Sequence, residues 1–178
     1  MSRRERILVV GAAGSGKTTT ARAIAERLGL PHVEMDALFW GPGWTPVEPD
    51  VFHARLRNAA RGDAWVCDGN YFSAGASEIV WPRIDTVVFL DLPKRTVVRR
   101  AVVRSARRSV TREELWAGNR ESVANAFRDE DALIRYLWRN YPKYRERYDS
   151  LQRDPAWSHL EWVTLRSRSQ ANAWLRSL

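Results

Sequence analysis

The sequence is poor in cysteine and has no long apolar run. Its single cysteine, Cys67, excludes an internal disulfide and a multi-cysteine zinc site, and its apolar neighbours predict a reduced, buried thiol. Apolar stretches such as residues 7–13 and 87–92 are far shorter than the roughly 20 residues that a transmembrane helix needs. The first residues also lack the apolar core and cleavage site of a secretory signal. We therefore expect a cytoplasmic protein without a membrane segment.

Acidic residues are missing from one stretch of an otherwise balanced chain. The net charge is +8, yet residues 94–112 alone hold eight basic and no acidic residues, and the remainder holds 21 of each sign. So local an excess suits a compact polyanion such as a triphosphate better than a long phosphate backbone. We therefore expect no nucleic-acid partner, although a basic surface for RNA is the alternative. The histidines, His32, His53 and His159, lack metal-ligand spacing and receive no role.

The pattern of apolar residues predicts one α/β domain over residues 1–178. The 44% of hydrophobic residues suffices for a sizeable core. Short apolar strands alternate with helical periodicity, which indicates a parallel sheet covered by helices on both faces, a three-layer α/β/α fold. Strands are predicted at residues 7–10, 32–35, 65–67, 86–90 and 161–165. Helices are predicted at residues 17–28, 49–60, 94–153 with breaks near Ser109 and Pro142, and 169–178. Ligands of such five-stranded sheets bind at the carboxyl ends of the strands.

A glycine-rich segment follows the first predicted strand. Residues 11–18 satisfy G-x-x-x-x-G-K-[ST] and precede a predicted helix, as a phosphate-binding P-loop requires. In such a loop, backbone N–H groups and a helix N-terminus surround phosphate oxygens, Lys17 reaches the β- and γ-phosphates, and Thr18 binds Mg²⁺. An ordinary glycine-rich turn is the alternative. The predicted nucleotide-binding residues here are Gly11, Ala12, Ala13, Gly14, Ser15, Gly16, Lys17, Thr18 and Thr19.

Further motifs narrow the class of P-loop protein. The chain has neither the Asn-Lys-x-Asp sequence that reads guanine nor the Leu-Ser-Gly-Gly signature of transporter ATPases. It resembles the P-loop nucleoside and nucleotide kinases, the adenylate-kinase-like group that includes shikimate and gluconate kinases, and most closely the small bacterial adenylate kinase-related, FlaR-like proteins. The resemblance rests on residues 11–18, 35–40, 42–44, 66–71, 89–93 and 141–144.

The resemblance implies an ATP-dependent kinase with ATP and Mg²⁺ as cofactors, a helical lid and a small-molecule acceptor. Adenylate kinases carry Asp-Gly-Phe-Pro-Arg where this chain has Asp-Gly-Asn-Tyr at residues 68–71. The acceptor is therefore left open between a nucleoside monophosphate, a nucleoside and a hydroxylated metabolite. A nucleotide-dependent switch NTPase and a nucleic-acid-associated regulator remain as alternative functions. We expect a monomer or a homodimer.

Two aspartates receive catalytic roles from this resemblance. Asp68 would support Mg²⁺ together with Thr18, the alternative being a turn cap. Asp36 would orient the acceptor hydroxyl and take its proton, the alternative being a helix cap or a solvated carboxylate. The acceptor-binding segment spans residues 36–62. Its pocket would be formed by Asp36, Trp40, Trp44, Asn70 and Tyr71.

Arginines of the basic stretch complete the predicted site. Arg100, Arg104 and Arg107 lie four and three residues apart and so share a helix face. By resemblance, Arg100 stacks on adenine, Arg104 contacts the phosphates, and Arg107 and Arg108 belong to a lid over residues 104–128. Arg120 and Arg128 would complete this lid or pair with acidic neighbours. After the last strand, Arg166 and Ser167 would cradle the adenine. The predicted catalytic set is Lys17, Asp36, Asp68, Arg104, Arg107 and Arg108.

Overall fold

The computed structural model describes residues 5–121 and 123–178, and for residues 123–134 and 136 it describes the backbone without the side chains. Five strands form: β1 (Arg6–Gly11), β2 (His32–Glu34), β3 (Trp65–Asp68), β4 (Thr86–Leu90) and β5 (Glu161–Leu165). The α-helices are α1 (Lys17–Leu28), α2 (Met35–Phe39), α3 (Pro49–Ala59), α4 (Ala76–Val80), α5 (Lys94–Thr111), α6 (Val123–Arg153) and α7 (Arg168–Arg176). Short 3-10 turns lie between these elements, at Pro42–Trp44, Trp81–Arg83, Trp116–Gly118 and Pro155–Trp157.

All five strands pair in parallel in the order β2-β3-β1-β4-β5. Because β1 lies at the centre, the P-loop that follows it emerges between the ends of β3 and β4. Residues of β1 alternate between two cores: Ile7 and Val9 pack with α1 and α7, whereas Leu8 and Val10 pack with α3, α4 and α6. The predicted three-layer α/β fold with a five-stranded parallel sheet is confirmed.

Tertiary packing changes the predicted boundaries in three places. β2 ends at Glu34 rather than at residue 35, so Asp36 lies on the short helix α2 and not at a strand end. The predicted break at Pro142 is wrong, because α6 continues to Arg153. Proline removes one helix hydrogen bond, but Pro142 and Trp138, four residues earlier, are both exposed, and water can solvate the freed carbonyl. The short helices α2 and α4 are absent from the prediction.

The connection between α5 and α6 is only partly helical. α5 ends at Thr111, close to the predicted break at Ser109, and the chain then makes an isolated bridge between Glu114 and Arg120. Residues 112–121, called the cover segment below, therefore form an irregular loop with one 3-10 turn. The side chain of Arg128 lies outside the described residues. None of the described helices is both long and apolar enough to cross a membrane.

Candidate functional site

Three glycines give the P-loop its shape. Gly11, Gly14 and Gly16 have φ values of 147°, 84° and 97°, a region that other residues rarely adopt. Gly14 also lies against α5, where an added Cβ would stand 2.5 Å from the carbonyl oxygen of Val97. The Ser15 N–H donates to the Ala12 carbonyl at 3.1 Å, which closes the loop ahead of α1. The loop thus has the backbone curvature that a phosphate cradle requires.

Lys17 lies where the P-loop, two acidic residues and α5 meet. Its ammonium donates to the Ala12 carbonyl at 3.4 Å. Burial lowers the pKa of Lys17, and the charges of Asp36 and Asp68 oppose this shift while Arg104 adds to it. Four predicted catalytic residues, Lys17, Asp36, Asp68 and Arg104, therefore share one electrostatic neighbourhood.

Asp68 ends β3 with its side chain almost fully buried, at 1% exposure. Its Oδ1 accepts a hydrogen bond from the Thr18 hydroxyl at 3.4 Å, and its Oδ2 lies 3.0 Å from His32 Nε2. The hydroxyl and carboxylate oxygens of Thr18 and Asp68 are the hard donors that Mg²⁺ prefers, so the residues present fit this ion. The His32 contact was not anticipated, because the sequence does not show that residues 32 and 68 lie on adjacent strands.

Asp36 lies on α2, and its Oδ1 accepts a hydrogen bond from the Tyr71 hydroxyl, which holds the carboxylate in place. Burial, and next the charge of Asp36, raise the pKa of Tyr71, so the phenol stays a donor at neutral pH. The Tyr71 ring packs against Phe39 at 4.5 Å and Phe52 at 5.5 Å between centroids. The Trp40 side chain opposes this shift of the Tyr71 pKa, and its ring packs against Phe39 with centroids 4.9 Å apart. The structure thus brings together the predicted residues Asp36, Trp40 and Tyr71.

The predicted acceptor loop, residues 40–44, is packed against the cover segment. Trp44 contacts Trp40 on one side and Trp116 on the other, with ring centroids 5.8 and 6.2 Å apart. Trp44 and Ala117 have φ values of 58° and 56°, which cost strain in residues with a Cβ. Strained backbone therefore occurs on both sides of this contact.

Asn119 clamps the two segments together. It is 5% exposed, accepts from the Trp44 N–H at 3.0 Å and donates to the Gly41 carbonyl at 2.8 Å. The Trp44 indole N–H donates in turn to the Arg120 carbonyl at 3.3 Å. Sequence reasoning missed Asn119, because only the folded chain brings residues 41–44 and 119 together.

Glu34 is a further residue that the sequence did not single out. Burial, and next the charge of Asp68, raise its pKa, whereas a hydrogen bond from the Trp116 side chain opposes that shift. Trp116 therefore reaches across from the cover segment to the end of β2. Burial first, and then the nearby charges of Asp68 and Asp36, explain why the pKa of Glu34 is raised.

The arginines of α5 fall into two groups. Arg108 pairs with Glu121 at 3.4 Å and Glu113 at 3.9 Å, and its guanidinium lies 6.0 Å from the Trp116 ring centre. Burial, then the charge of Arg108, lower the pKa of Arg104, with Glu121 and Asp36 acting in the opposite direction. The remaining arginines of the predicted site, on α5 and in the cover segment, have different partners. Arg120, in the cover segment, pairs with Glu114 at 3.2 Å, whereas the side chains of Arg100 and Arg107 on α5 make no hydrogen bond or ion pair with another described residue.

The loop after β5 is ordered by contacts within the protein. Arg166 Nε lies 3.4 Å from Asp91 Oδ2, and Arg145 approaches the same oxygen at 3.4 Å. The Ser167 hydroxyl accepts from the Gln170 N–H at 3.1 Å and so caps α7. The predicted adenine-contacting side chains are therefore engaged with Asp91 and α7, and the Arg166 N–H donates to Gln170 Oε1 at 2.7 Å.

Asn70, expected in the acceptor pocket, lies against the P-loop. Its Nδ2 donates to the Gly11 carbonyl at 2.7 Å, and its Oδ1 accepts from the Gly11 N–H at 3.4 Å and from the Tyr148 hydroxyl at 2.8 Å. Asn70 is thus separated in its contacts from its sequence neighbour Tyr71, which faces Asp36.

Comparison with known proteins finds sequence matches to the P-loop region and structural matches to the fold. The family model for ATPases associated with various cellular activities (AAA) matches residues 7–66. A cytidylate kinase from Nitratidesulfovibrio vulgaris Hildenborough is 39% identical over 61 residues, 33% of this chain and 26% of that protein. A bifunctional pantoate ligase/cytidylate kinase from Prochlorococcus marinus strain MIT 9303 is 41% identical over 51 residues, 29% of this chain and 10% of the relative. The matches thus span at most about a quarter of these relatives.

Solved structures match nearly the whole chain. The shikimate kinase from Acinetobacter baumannii in complex with shikimate aligns with a TM-score of 0.55 at 21% identity, covering 97% of this chain and 89% of that one. The shikimate kinase from Bacteroides thetaiotaomicron aligns with a TM-score of 0.54 at 17% identity, covering 97% and 95%. The chain therefore has the fold of a small P-loop kinase.

Proposed function

We propose that the protein is an ATP-dependent phosphotransferase that transfers the γ-phosphoryl group of ATP to a small acceptor. One observation carries this proposal: Asp36 of the acceptor side shares an electrostatic neighbourhood with Lys17 of the P-loop and with Arg104 of α5. A transferable phosphoryl group needs cations around it and an acceptor-orienting group opposite, and these three residues supply both. The cytidylate and shikimate kinases that the chain resembles are kinases by name, which supports the proposal.

The P-loop would bind the triphosphate of ATP. Backbone N–H groups of the loop after Gly11, residues 12–16, would surround the β-phosphate, Lys17 would bind the β- and γ-phosphates, and Thr19 would follow at the helix N-terminus. Thr18 and Asp68 would hold Mg²⁺, an ion that would neutralise phosphate charge when bound. His32 would keep the Asp68 carboxylate in position through its second oxygen.

Asp36 would hold the acceptor hydroxyl for in-line attack on the γ-phosphorus. The oxygen–phosphorus bond to the acceptor forms as the bond to the ADP oxygen breaks, and the hydroxyl proton passes to the Asp36 carboxylate. Tyr71 orients this carboxylate by donating to Oδ1, which leaves Oδ2 for the acceptor. Trp40 and Trp44 would form the walls of the acceptor pocket.

Arginines from α5 would neutralise the charge that develops during transfer. Arg104 is the best placed for this role, because its charge acts on Lys17 and the charge of Asp36 acts on it. Arg107, near the exposed end of the helix, would also contact the phosphates. Arg108 would either leave Glu121 and turn toward the phosphates, or keep its ion pair with Glu121 and hold the cover segment in place. Arg100 and the loop at Arg166 and Ser167 would contact the adenine.

The test is ADP release from MgATP in the presence of nucleoside monophosphates, nucleosides and small hydroxylated metabolites. We expect one acceptor class to accelerate ADP formation by wild type, and we expect Lys17→Ala and Asp36→Ala to lose that acceleration. Asp63→Ala, which removes an exposed carboxylate before the amino end of β3, is the matched control and should behave as wild type. ATP hydrolysis that no acceptor stimulates, and that Asp36→Ala leaves unchanged, would instead support a nucleotide-dependent switch.

A further inference from the structure

The end of β1 has an unusual partner on its β3 side. The parallel pairing of β1 with β3 ends at Val9 and Asp68, after which the Gly69 N–H donates to the Val9 carbonyl at 3.4 Å. Two residues further along β1, the N–H and carbonyl of Gly11 point to the same side, because strand residues alternate in direction. No backbone group of β3 remains to pair with Gly11. A buried peptide group without partners would cost about 1–3 kcal/mol.

The carboxamide of Asn70 fills this gap. A side-chain amide carries one carbonyl and one NH₂ group and therefore offers Gly11 the same acceptor and donor as a peptide group. Its Oδ1 accepts from the Gly11 N–H and its Nδ2 donates to the Gly11 carbonyl, at 3.4 and 2.7 Å. The β1–β3 ladder is thereby extended by one rung into the first residue of the P-loop.

Tyr148 fixes which way this amide faces. It lies on α6, is fully buried, and donates from its hydroxyl to Asn70 Oδ1 at 2.8 Å. Its ring packs against Phe89 at 4.9 Å and Phe72 at 5.9 Å, which holds the hydroxyl in place. Burial raises the pKa of Tyr148, so the phenol remains a donor and Oδ1 remains the oxygen turned toward it.

From these contacts we infer that Asn70 is a positioning residue of the phosphate-binding loop and that Tyr148 acts on the loop through Asn70. Gly11 is the point where β1 turns into the P-loop, at a φ of 147°, and a Cβ there would approach the Leu90 carbonyl oxygen to 2.8 Å. Its peptide orientation sets the direction of the loop residues that follow. The inference rests on the proposed function in that the loop binds a nucleotide, but it does not depend on which acceptor is used.

The experiment measures MgADP affinity by isothermal titration calorimetry for wild type and three variants of this pair. Asn70→Ala removes the added rung, and we expect MgADP binding to weaken about tenfold. Tyr148→Phe removes only the hydroxyl and keeps the ring packing, so a loss of roughly two- to threefold is expected. In the double variant the loss should equal that of Asn70→Ala alone, because Tyr148 acts through Asn70.

A stability control separates positioning from folding. Ile84→Val removes one buried methylene group just before the amino end of β4, away from the P-loop, and should lower the melting temperature without changing MgADP affinity. If Asn70→Ala bound MgADP as wild type does, or if the two losses simply added in the double variant, the inference would be wrong while the proposed function stood. A wild-type protein that bound neither MgADP nor MgATP would overturn both.

Discussion

The phosphate side and the acceptor side of this site are built in different ways. The phosphate side is made of consecutive residues 11–18, whose backbone is shaped by glycine, together with Asp68 at the end of the adjacent strand. The acceptor side is assembled from α2, the loop at residues 40–44, Tyr71 and the cover segment, which are distant in sequence. The first is shaped mainly by local backbone conformation, to which Asn70 adds one side-chain rung at Gly11, and the second depends throughout on side-chain contacts between separate segments.

The two halves of the site should therefore respond differently to substitutions. Contacts within the consecutive residues of the P-loop change little when a distant element moves. The acceptor half, by contrast, depends on the hydrogen bonds of Asn119, which join two loops. Strain is distributed in the same way. The described residues that carry a Cβ at positive φ, namely Trp44, Arg112 and Ala117, all belong to the acceptor loop or the cover segment. We therefore expect damage to the phosphate half to abolish nucleotide binding or transfer, and damage to the acceptor half to affect acceptor use.

The largest effect should come from Lys17→Ala. Lys17 is the P-loop cation nearest to both site aspartates, and loss of a group that neutralises transition-state charge typically costs about 10²–10³ in rate. We expect acceptor-dependent ADP formation to fall by that factor. Lys143→Ala, which removes an exposed lysine on α6, serves as the control and should retain the wild-type rate. Equal rates in the two variants would remove Lys17 from the proposed site.

Gly14→Ala tests the backbone basis of the phosphate half. The new Cβ would face the Val97 carbonyl oxygen at 2.5 Å at a φ of 84°, so we expect a loss of about 2–3 kcal/mol in the free energy of unfolding. Gly29→Ala is the matched control, because its φ is 66° but a Cβ there meets nothing within 4 Å. It should lose only about 1 kcal/mol. Chemical denaturation measures both, and equal losses would show that the contact with α5 is not tight.

Asn119→Ala tests the acceptor half. The change leaves the Trp44 N–H and the Gly41 carbonyl without their partner, so the two loops should separate. We expect the KM for the acceptor to rise about tenfold while the dissociation constant for MgADP stays unchanged. Asn172→Ala, an exposed change on α7, provides the control. A loss of MgADP affinity equal to the loss in acceptor KM would abolish the distinction between the halves.

Ala117→Gly should have the smallest effect, and its sign is informative. Glycine accepts a φ of 56° without steric cost, so we expect this variant to be more stable by about 0.5–1 kcal/mol. Ala106→Gly, inside α5, makes the same chemical change in a regular helix and should lose about 0.5–1 kcal/mol. The two free energies of unfolding should therefore move in opposite directions. Destabilisation in both would mean that the cover segment stores no strain at Ala117.

The same contrast explains what the sequence could predict. The P-loop could be identified, and the five strands located, because each depends on neighbouring residues: glycines at fixed offsets for the loop, and short apolar runs for the strands. Asp36 and Tyr71 were proposed from motif resemblance, and the structure brings them together. The pairing of His32 with Asp68, the clamp at Asn119 and the rung formed by Asn70 were not predicted, because each depends on strand order or on loop packing across many residues.

The continuous helix through Pro142 was missed for a related physical reason. Proline lowers local helix propensity, but Leu137 on one side of it and Tyr148 on the other are buried against the core, and these contacts outweigh the lost hydrogen bond. Local rules fail where burial of side chains on both flanks decides the conformation.

The most direct test of the account follows the γ-phosphoryl group itself. Wild-type protein is incubated with its stimulating acceptor and ATP radiolabelled in the γ-position, and the labelled products are separated. We expect label to appear on the acceptor in proportion to the ADP formed, and we expect Asp36→Ala to abolish this labelled product. Label recovered only as inorganic phosphate, whatever acceptor is present, would contradict phosphotransfer as the function of this site.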